Sequence, residues 1–322
     1  CEHTELAALL SDALPLQPLV AGRHSQRTGV LRVFGRQFFG SAAQESTDFD
    51  PAWDGIVYFV TDPKIVCGSI QPPQDGRPAI YVVPQDVSKI REAAVEAAAL
   101  NSALESAEQE GADWVARREL VERSAATRQR LHSLINETWN ARSEWFVAGI
   151  GKQLDPQRGL SAVLSEVADF AYPNTPSIAN EMIARRELTS QGAKARRFLI
   201  DALLEHHNLE AFAIGGYGPE RAMYEALFRK TGIHRTTADG SWALLAPTEK
   251  SWKPVWALMN TAFDSALESR LSLAEVGAKL TSPPVGLKDG LVPLLLVAGL
   301  VARSNEIALY EHGSLVLSLD DA

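Results

Sequence analysis

The stretch AYPNTPSIANEMIARRELTSQG, residues 171–192, carries the most specific local chemistry of the chain and decides the fold that we predict. Thr175 has a side-chain oxygen suited to an N-cap, and Pro176 fits the first helical position, where a missing N–H costs nothing. The stretch therefore predicts a short helix with two marked ends, which closes at residues 188–190. We expect its small apolar scaffold to present a set of polar side chains, Asn180, Glu181, Arg185 and Arg186.

More cations follow at the start of the next predicted helix, residues 191–207. Cations at a helix N-terminus oppose the helix macrodipole, so their presence there indicates an external anion. The candidate anion or nucleic-acid site is therefore the set Arg185, Arg186, Lys194, Arg196 and Arg197. The alternative is that these cations pair with local carboxylates such as Glu181 and Glu187.

Three further residues are candidates for structural polar roles. Asn180 and Glu181 lie on the predicted central helix, and Glu220 follows the Gly-rich turn GGYGPE, residues 215–220. A Gly-rich turn before a helix can hold phosphate through its backbone N–H groups. Here Pro219 removes one donor and Glu220 adds a negative charge, so we interpret the segment as a rigid turn.

The first 84 residues predict a small α/β part. Residues 6–14 have a helical pattern, and β-branched or aromatic runs bounded by Gly, Pro and Asp predict strands at residues 30–34, 56–61, 64–67 and 79–83. The chain opens with Cys1 and has no initiator Met, so we expect a piece of a longer protein and the end of a truncated domain.

Residues 85–157 predict a long helical hairpin. Residues 86–110 are rich in Ala and Glu and contain neither Gly nor Pro, and Gly111 separates them from a second helical pattern that reaches residue 140. In this second pattern one apolar stripe is formed by Leu131, Leu134, Ile135 and Trp139. Two helices around one glycine are typical of an antiparallel pair.

Residues 158–250 predict a helical domain and residues 251–322 a winged-helix-like domain. In the latter, helical patterns at residues 252–267, 272–280 and 287–302 precede two short strands at 306–310 and 314–319. The third helix has Lys288 as its one cation, so we expect it to pack or contact protein rather than read DNA. The predicted fold class is mainly α with a small α/β N-terminal part, a helical hairpin, a helical domain and a C-terminal winged helix.

The composition is that of an ordinary globular protein with an acidic balance, 46% hydrophobic and 22% charged. The formal net charge of −9 argues against indiscriminate nucleic-acid binding, while a local basic face stays compatible with it. Two cysteines, Cys1 and Cys67, are too few for a disulfide framework or a four-ligand zinc site, which predicts a reducing, cytoplasmic location. The longest apolar run, residues 291–302, is too short to cross a bilayer, so no membrane partner is expected.

The sequence contains no complete catalytic constellation. Residues 148–152, AGIGK, lack the earlier Gly and the following Ser or Thr of a phosphate-binding P-loop. We expect no metal, because no carboxylate or Cys stands at ligand spacing from three candidate histidines, His206, His207 and His234. Ser41 and Asp48 lie in loops without a recognisable partner histidine. An enzyme with an unrecognised site in the N-terminal α/β part remains an alternative hypothesis.

Three segments carry a family resemblance. They are YPNTPSIANEMIARRELTSQGAKARR (residues 172–197), GGYGPERAMYEALFRKTGIHR (215–235) and SPPVGLKDGLVPLLLVAGLVARSNEIALYEHGSLV (282–316). Together they resemble the region C-terminal to the motor in large P-loop ATPases of bacterial phage-defence loci, of the BREX and phage-growth-limitation type. The resemblance covers roughly residues 139–319 and little of the N-terminal part.

The resemblance implies a non-catalytic accessory region that couples an ATP-driven motor to partner subunits of a defence complex or to DNA. It places ATP and Mg²⁺ in the motor domain of the parent protein and no cofactor in this chain. The alternative is a DNA-binding winged-helix protein that uses the basic face between Arg185 and Arg197. Tight protein association would favour the first hypothesis, and strongly salt-dependent DNA binding would favour the second.

Overall fold

The computed structural model describes residues 2–40, 50–65, 72–109, 114–141, 143–149, 153–155 and 158–316. The chain forms two compact units. Unit 1 consists of Cys1–Gly22 and Arg32–Val167, and unit 2 consists of Arg23–Leu31 and Ala168–Ala322. The division into four segments stays a prediction.

Unit 1 is built on a six-stranded mixed sheet with the strand order β1-β2-β3-β4-β5-β6. The neighbouring strands β2, β3 and β4 are parallel, and the remaining pairs are antiparallel. The strands are β1 (Leu19–Val20), β2 (Val33–Phe39), β3 (Gly55–Val60), β4 (Ala79–Pro84), β5 (Ser143–Val147) and β6 (Gln153–Leu154). The central strands β3 and β4 are buried along their whole length, as expected for parallel strands covered on both faces.

Alternation along the strands gives the sheet two aromatic faces. On one face the rings of Phe38 and Phe59 pack against Trp139, and the indole Nε1 of Trp139 donates to the carbonyl of Val60 at 3.3 Å. On the other face a row of rings crosses four strands, formed by Phe39, Tyr58, Tyr81 and Phe146. These cross-strand contacts fix the register of the sheet.

The helices of unit 1 are α1 (Glu2–Ala13), α3 (Ser88–Gln109) and α4 (Trp114–Ala141), and α2 (Gly22–Thr28) lies almost entirely in unit 2. The predicted antiparallel hairpin is present as α3 and α4. Its helices pack through the buried small residues of α3, Ala93, Ala94 and Ala97. Arginines of α4 face carboxylates: Arg117 pairs with Glu108 at 2.6 Å, and Arg118 with Glu122 at 3.0 Å.

The predicted fold class, mainly α with a small α/β N-terminal part, is wrong. About 51% of the chain is helical, but the sheet is not confined to the first 84 residues. After the hairpin the chain returns to the same sheet, because β5 pairs with β4 from Ile80↔Val147 to Pro84↔Ser143. The hairpin is therefore the connection between two adjacent strands of one α/β unit.

Unit 2 is mainly helical. Its helices are the end of α5 (Leu160–Ala171), α6 (Ser190–His206), α7 (Pro219–Tyr224), α8 (Lys253–Ser265), α9 (Leu273–Thr281) and α10 (Val292–Ala302). Two short antiparallel hairpins join them, β7 (His234–Thr236) with β8 (Trp242–Leu244), and β9 (Leu309–Glu311) with β10 (Ser314–Val316). Helix α7 is short, and a π-helical turn, Glu225–Arg229, continues it.

The central stretch, residues 171–192, is not the helix that its caps predicted. After α5 ends at Ala171 the chain is irregular up to the N-cap Thr189. Its polar groups are used by distant segments: Thr175 Oγ1 donates to the carbonyl of Val285 at 2.7 Å, and the N–H of Ile178 donates to the carbonyl of Thr28 at 2.8 Å. Because these tertiary hydrogen bonds replace the local helical ones, Thr175 is an anchor and not a cap.

The last segment has the expected order of three helices followed by two short strands. Residues on all sides of α10 are buried, among them Leu294, Leu295 and Leu300. This burial agrees with the expectation that α10 packs against its neighbours. Three residues considered from the sequence, Ser41, Asp48 and Cys67, lie outside the described part of the chain, as does Lys152.

Candidate functional site

Unit 2 brings the predicted cations into two neighbouring segments. We call the set Arg185, Arg186, Lys194, Arg196 and Arg197 the basic surface. Arg185 and Arg186 lie in the irregular chain before α6, and the others lie on the first turns of α6. The loop before α10 joins the two segments, because Gly290 donates its N–H to the carbonyl of Arg185 at 3.1 Å, and Arg196 Nη1 lies 3.4 Å from the carbonyl oxygen of Gly290.

Helix α6 aims its cations outward by simple periodicity. Its N-cap Thr189 accepts a hydrogen bond from the N–H of Gly192 at 3.1 Å, which fixes where the helix begins. From that start, the positions turned inward are small or apolar and buried, namely Ala195, Leu199, Ala202 and Leu203. Lys194 and Arg197 fall between these positions and are exposed.

Gly290 permits the close approach that forms the surface. A Cβ atom at this position would lie 2.7 Å from the carbonyl oxygen of Arg185 and 2.9 Å from that of Ile183. Both are backbone atoms, so a side chain could enter only if the chain before α6 moved. The absence of a side chain at Gly290 therefore sets the distance between the α10 loop and the arginines.

The five cations differ in how far local carboxylates neutralise them. Arg186 Nε lies 3.2 Å from Asp289 Oδ2, and Arg185 Nη2 lies 3.8 Å from Glu181 Oε2 in an exposed pair of the kind that contributes little to stability. Lys194 has no ion pair with any residue in the described ranges. Arg196 donates to backbone carbonyls, and among the described residues no carboxylate pairs with it. Two cations of the basic surface, Lys194 and Arg196, thus have no carboxylate partner among the described residues.

The predicted structural polar residues have three different environments. Asn180 Oδ1 accepts a hydrogen bond from the N–H of Met182 at 2.9 Å, which is an Asx turn and a structural role. Glu181 is almost fully exposed beside Arg185. The carboxyl group of Glu220 folds back over Gly218, where a Cβ atom would overlap it, so the Gly-rich turn is closed on its α7 side by its own carboxylate.

A buried pair that sequence reasoning did not find is formed by Tyr224 and by His234, the first residue of β7. Tyr224 Oη and His234 Nδ1 are 2.8 Å apart, and His234 Nε2 is 2.8 Å from the carbonyl oxygen of His207. A carbonyl can only accept, so Nε2 carries the proton and the Tyr224 hydroxyl donates to Nδ1. Burial lowers the pKa of His234 to about 4 and raises the pKa of Tyr224 to about 12, so both are neutral near pH 7.

The pair is structural in character. His234 is 1% exposed and is packed among the rings of Phe212, Tyr224 and Trp242, so no substrate reaches it. The backbone at Phe212 is left-handed, with φ of 53°, and the residues on either side share this conformation. The signal available in the sequence was a lone histidine among aromatic residues, which is typical of a core position.

An open groove of about 430 Å³ lies between α8, the strand end after β8 and the end of α10. At its floor Arg303 pairs with Asp264 at 2.7 Å and with Glu306 at 2.8 Å. Hydrogen bonds to Asp264 first, and then to Glu306, raise the pKa of Arg303. Since the guanidinium is fully engaged by two carboxylates, the groove has neither a nucleophile nor a general base poised for chemistry.

Across the described ranges, His, Cys, Asp and Glu form no group of three that could hold a metal ion. In the same ranges, no helix is long and apolar enough to cross a membrane. Comparison with protein-family models, with curated proteins and with solved structures finds no match to this chain. The functional argument therefore rests on the geometry of the basic surface.

Proposed function

We propose that this chain is a non-catalytic binding region that couples an ATP-driven motor of the phage-defence type to partner subunits or DNA. The resemblance of three segments to the region after the motor in such ATPases suggests the setting. The basic surface lies in the first of these segments, residues 172–197, and the loop that contacts it through Asp289 and Gly290 lies in the third, residues 282–316.

One observation carries the proposal of DNA as the anion. Lys194 and Arg196 lie two residues apart near the start of α6, and no carboxylate of the described chain pairs with either of them, in a protein whose formal net charge is −9. Cations that stay unpaired in an acidic protein favour an external anion. The phosphates of a nucleic-acid backbone are anions that such cations can neutralise.

The test is DNA binding by this chain across a salt series. Fluorescence anisotropy would compare the wild-type protein with the double variant Lys194→Gln and Arg196→Gln. If each residue neutralises one phosphate of duplex DNA, the slope of log K against log salt becomes shallower by about 1.8 in the variant. Glutamine keeps the helix propensity and hydrogen-bonding capacity, so the fold is preserved.

A matched control removes the same charge elsewhere. Arg117 and Arg118 on α4 are already paired with Glu108 and Glu122, and changing both to Gln also lowers the net charge by two. We expect this control to leave the salt slope unchanged. If the control and the test variant change the slope equally, binding follows net charge and the basic surface has no special role.

If the folded wild-type chain does not bind DNA, DNA is rejected as the partner. The proposal then stands only as coupling of the motor to partner subunits. The enzyme hypothesis predicts turnover by the isolated chain. The residues considered for such a site from the sequence are Ser41 and Asp48. Both lie outside the described part of unit 1, so no geometry favours the enzyme hypothesis.

A further inference from the structure

The basic surface contains one exposed aromatic ring. Phe198 lies on α6, four residues after Lys194 and next to Arg197, and 53% of its surface is exposed. Residues four apart on a helix are neighbours on one face, so the ring lies beside the cations. We infer that Phe198 is a stacking platform for an unpaired base, and that the basic surface therefore takes single-stranded nucleic acid. This inference rests on the proposed binding of DNA by the same surface.

Core packing does not account for the exposed ring. The buried stripe of α6 is complete without it and is formed by Ala195, Leu199, Ala202 and Leu203. Phe198 lies at the edge of that stripe, about 100° from Leu199, and about half of its surface stays exposed. A phenyl ring so exposed among cations is a binding feature of the kind seen where bases stack on protein surfaces.

The chemistry of the partner follows from the shape of the site. In duplex DNA the faces of the bases are covered by their neighbours, so a ring on a convex helix has no base to stack on. In a single strand the bases can be splayed out, and the phosphates on either side of a base can lie on cations next to the ring. Lys194 is the cation placed for such a phosphate, because it lies four residues before Phe198 on the same face of α6.

The chain also offers an internal control. Phe170 on α5 is exposed to nearly the same extent, 56%, and is also in unit 2. Its neighbour in the chain is Asp169, whose carboxylate accepts hydrogen bonds from His24 at 2.7 Å and Arg27 at 2.5 Å. Because the charges next to Phe170 are paired with each other, Phe170 tests the exposure of a phenyl ring away from the unpaired Lys194.

The experiment measures how two labelled probes bind to the full chain at one fixed salt concentration. The probes are a 15-nucleotide oligo-dT and a DNA duplex of the same length. We expect Phe198→Ala to weaken oligo-dT binding by about 5- to 100-fold, which corresponds to the loss of one stacked base. Duplex binding should stay within about twofold, since the phosphate contacts are unchanged. Phe198→Tyr should restore oligo-dT binding, and Phe170→Ala should behave as the wild type.

The possible outcomes separate this inference from the proposal beneath it. Equal oligo-dT binding by Phe198→Ala and the wild type, or an equal loss of both probes, overturns the stacking inference. If in addition Lys194→Gln with Arg196→Gln weakens both probes, the DNA proposal stands without the stacking. If that double variant changes neither probe, or the folded wild-type chain binds neither, the DNA proposal and the inference fall together.

Discussion

The buried His234 makes a sharp prediction about how stability depends on pH. Burial holds its pKa at about 4 in the folded protein, against 6.5 for an unperturbed histidine. The folded state therefore disfavours the protonated ring, and below pH 6.5 the unfolded chain binds more protons than the folded one. The contribution of His234 to stability is intact above pH 6.5 and is lost as the pH falls from about 6.5 to about 4.

The magnitude follows from the two pKa values. Full loss corresponds to about 2.5 units of pKa, or about 3 kcal/mol, and the loss between pH 7 and pH 5 is about 2 kcal/mol. No reduction for solvent screening is needed, because His234 is 1% exposed. Its two hydrogen bonds already use both ring nitrogens in the neutral form, so protonation of Nδ1 also breaks the bond from Tyr224.

The assay is urea unfolding of the wild type and of His234→Gln at pH 7 and at pH 5. Because other groups titrate equally in both proteins, the difference between their pH dependences isolates His234. We expect the variant to be less stable at pH 7 but to lose about 2 kcal/mol less than the wild type on acidification. Parallel slopes for His234→Gln and the wild type would refute the lowered pKa.

Three substitutions test other parts of the fold by urea unfolding. Asp54→Ala removes an ion-pair partner of the fully buried Arg32, 2.9 Å away, and should cost about 3–5 kcal/mol because the buried guanidinium loses this carboxylate; a cost below about 1 kcal/mol would contradict the pairing. Thr189→Ala removes the N-cap of α6 and should cost about 1 kcal/mol, whereas Thr189→Ser should be neutral. Gly290→Ala should cost about 1–3 kcal/mol, because the new Cβ meets the carbonyl of Arg185, and it should also weaken DNA binding; unchanged affinity would show that the arrangement of the cations is irrelevant.

Elements with a strong local signal were predictable from the sequence. The hairpin helices follow from a long run without Gly or Pro, and α10 follows from an uninterrupted apolar run after Pro293. The strands β3 and β4 follow from β-branched and aromatic residues bounded by turn residues. In each of these cases the residues that determine the element are neighbours in the chain.

The errors come from partners that are distant in the chain. The strand β5 is only five residues long, which is a weak local signal. Its residues Trp145, Phe146 and Val147 pair with β4, which precedes the whole hairpin in the chain. Thr175 and Pro176 have the local features of a helix start. In the structure, however, the Thr175 hydroxyl donates a hydrogen bond to the carbonyl of Val285, 110 residues away. Local propensity is weak beside such tertiary hydrogen bonds, so the predicted helix does not form.

The same long-range hydrogen bonds place the candidate site. A helix through residues 176–187 would have aimed Arg185 and Arg186 by its own periodicity, independently of α10. In the structure the carbonyl of Arg185 is held by Gly290, Arg186 reaches Asp289, and Arg196 donates to the backbone of the same loop. The sequence could identify the cations as a set, since they are close in the chain. Which of them are neutralised depends on Asp289, about one hundred residues after Arg186, and this is why the distinction between Arg186 and Arg196 required the fold.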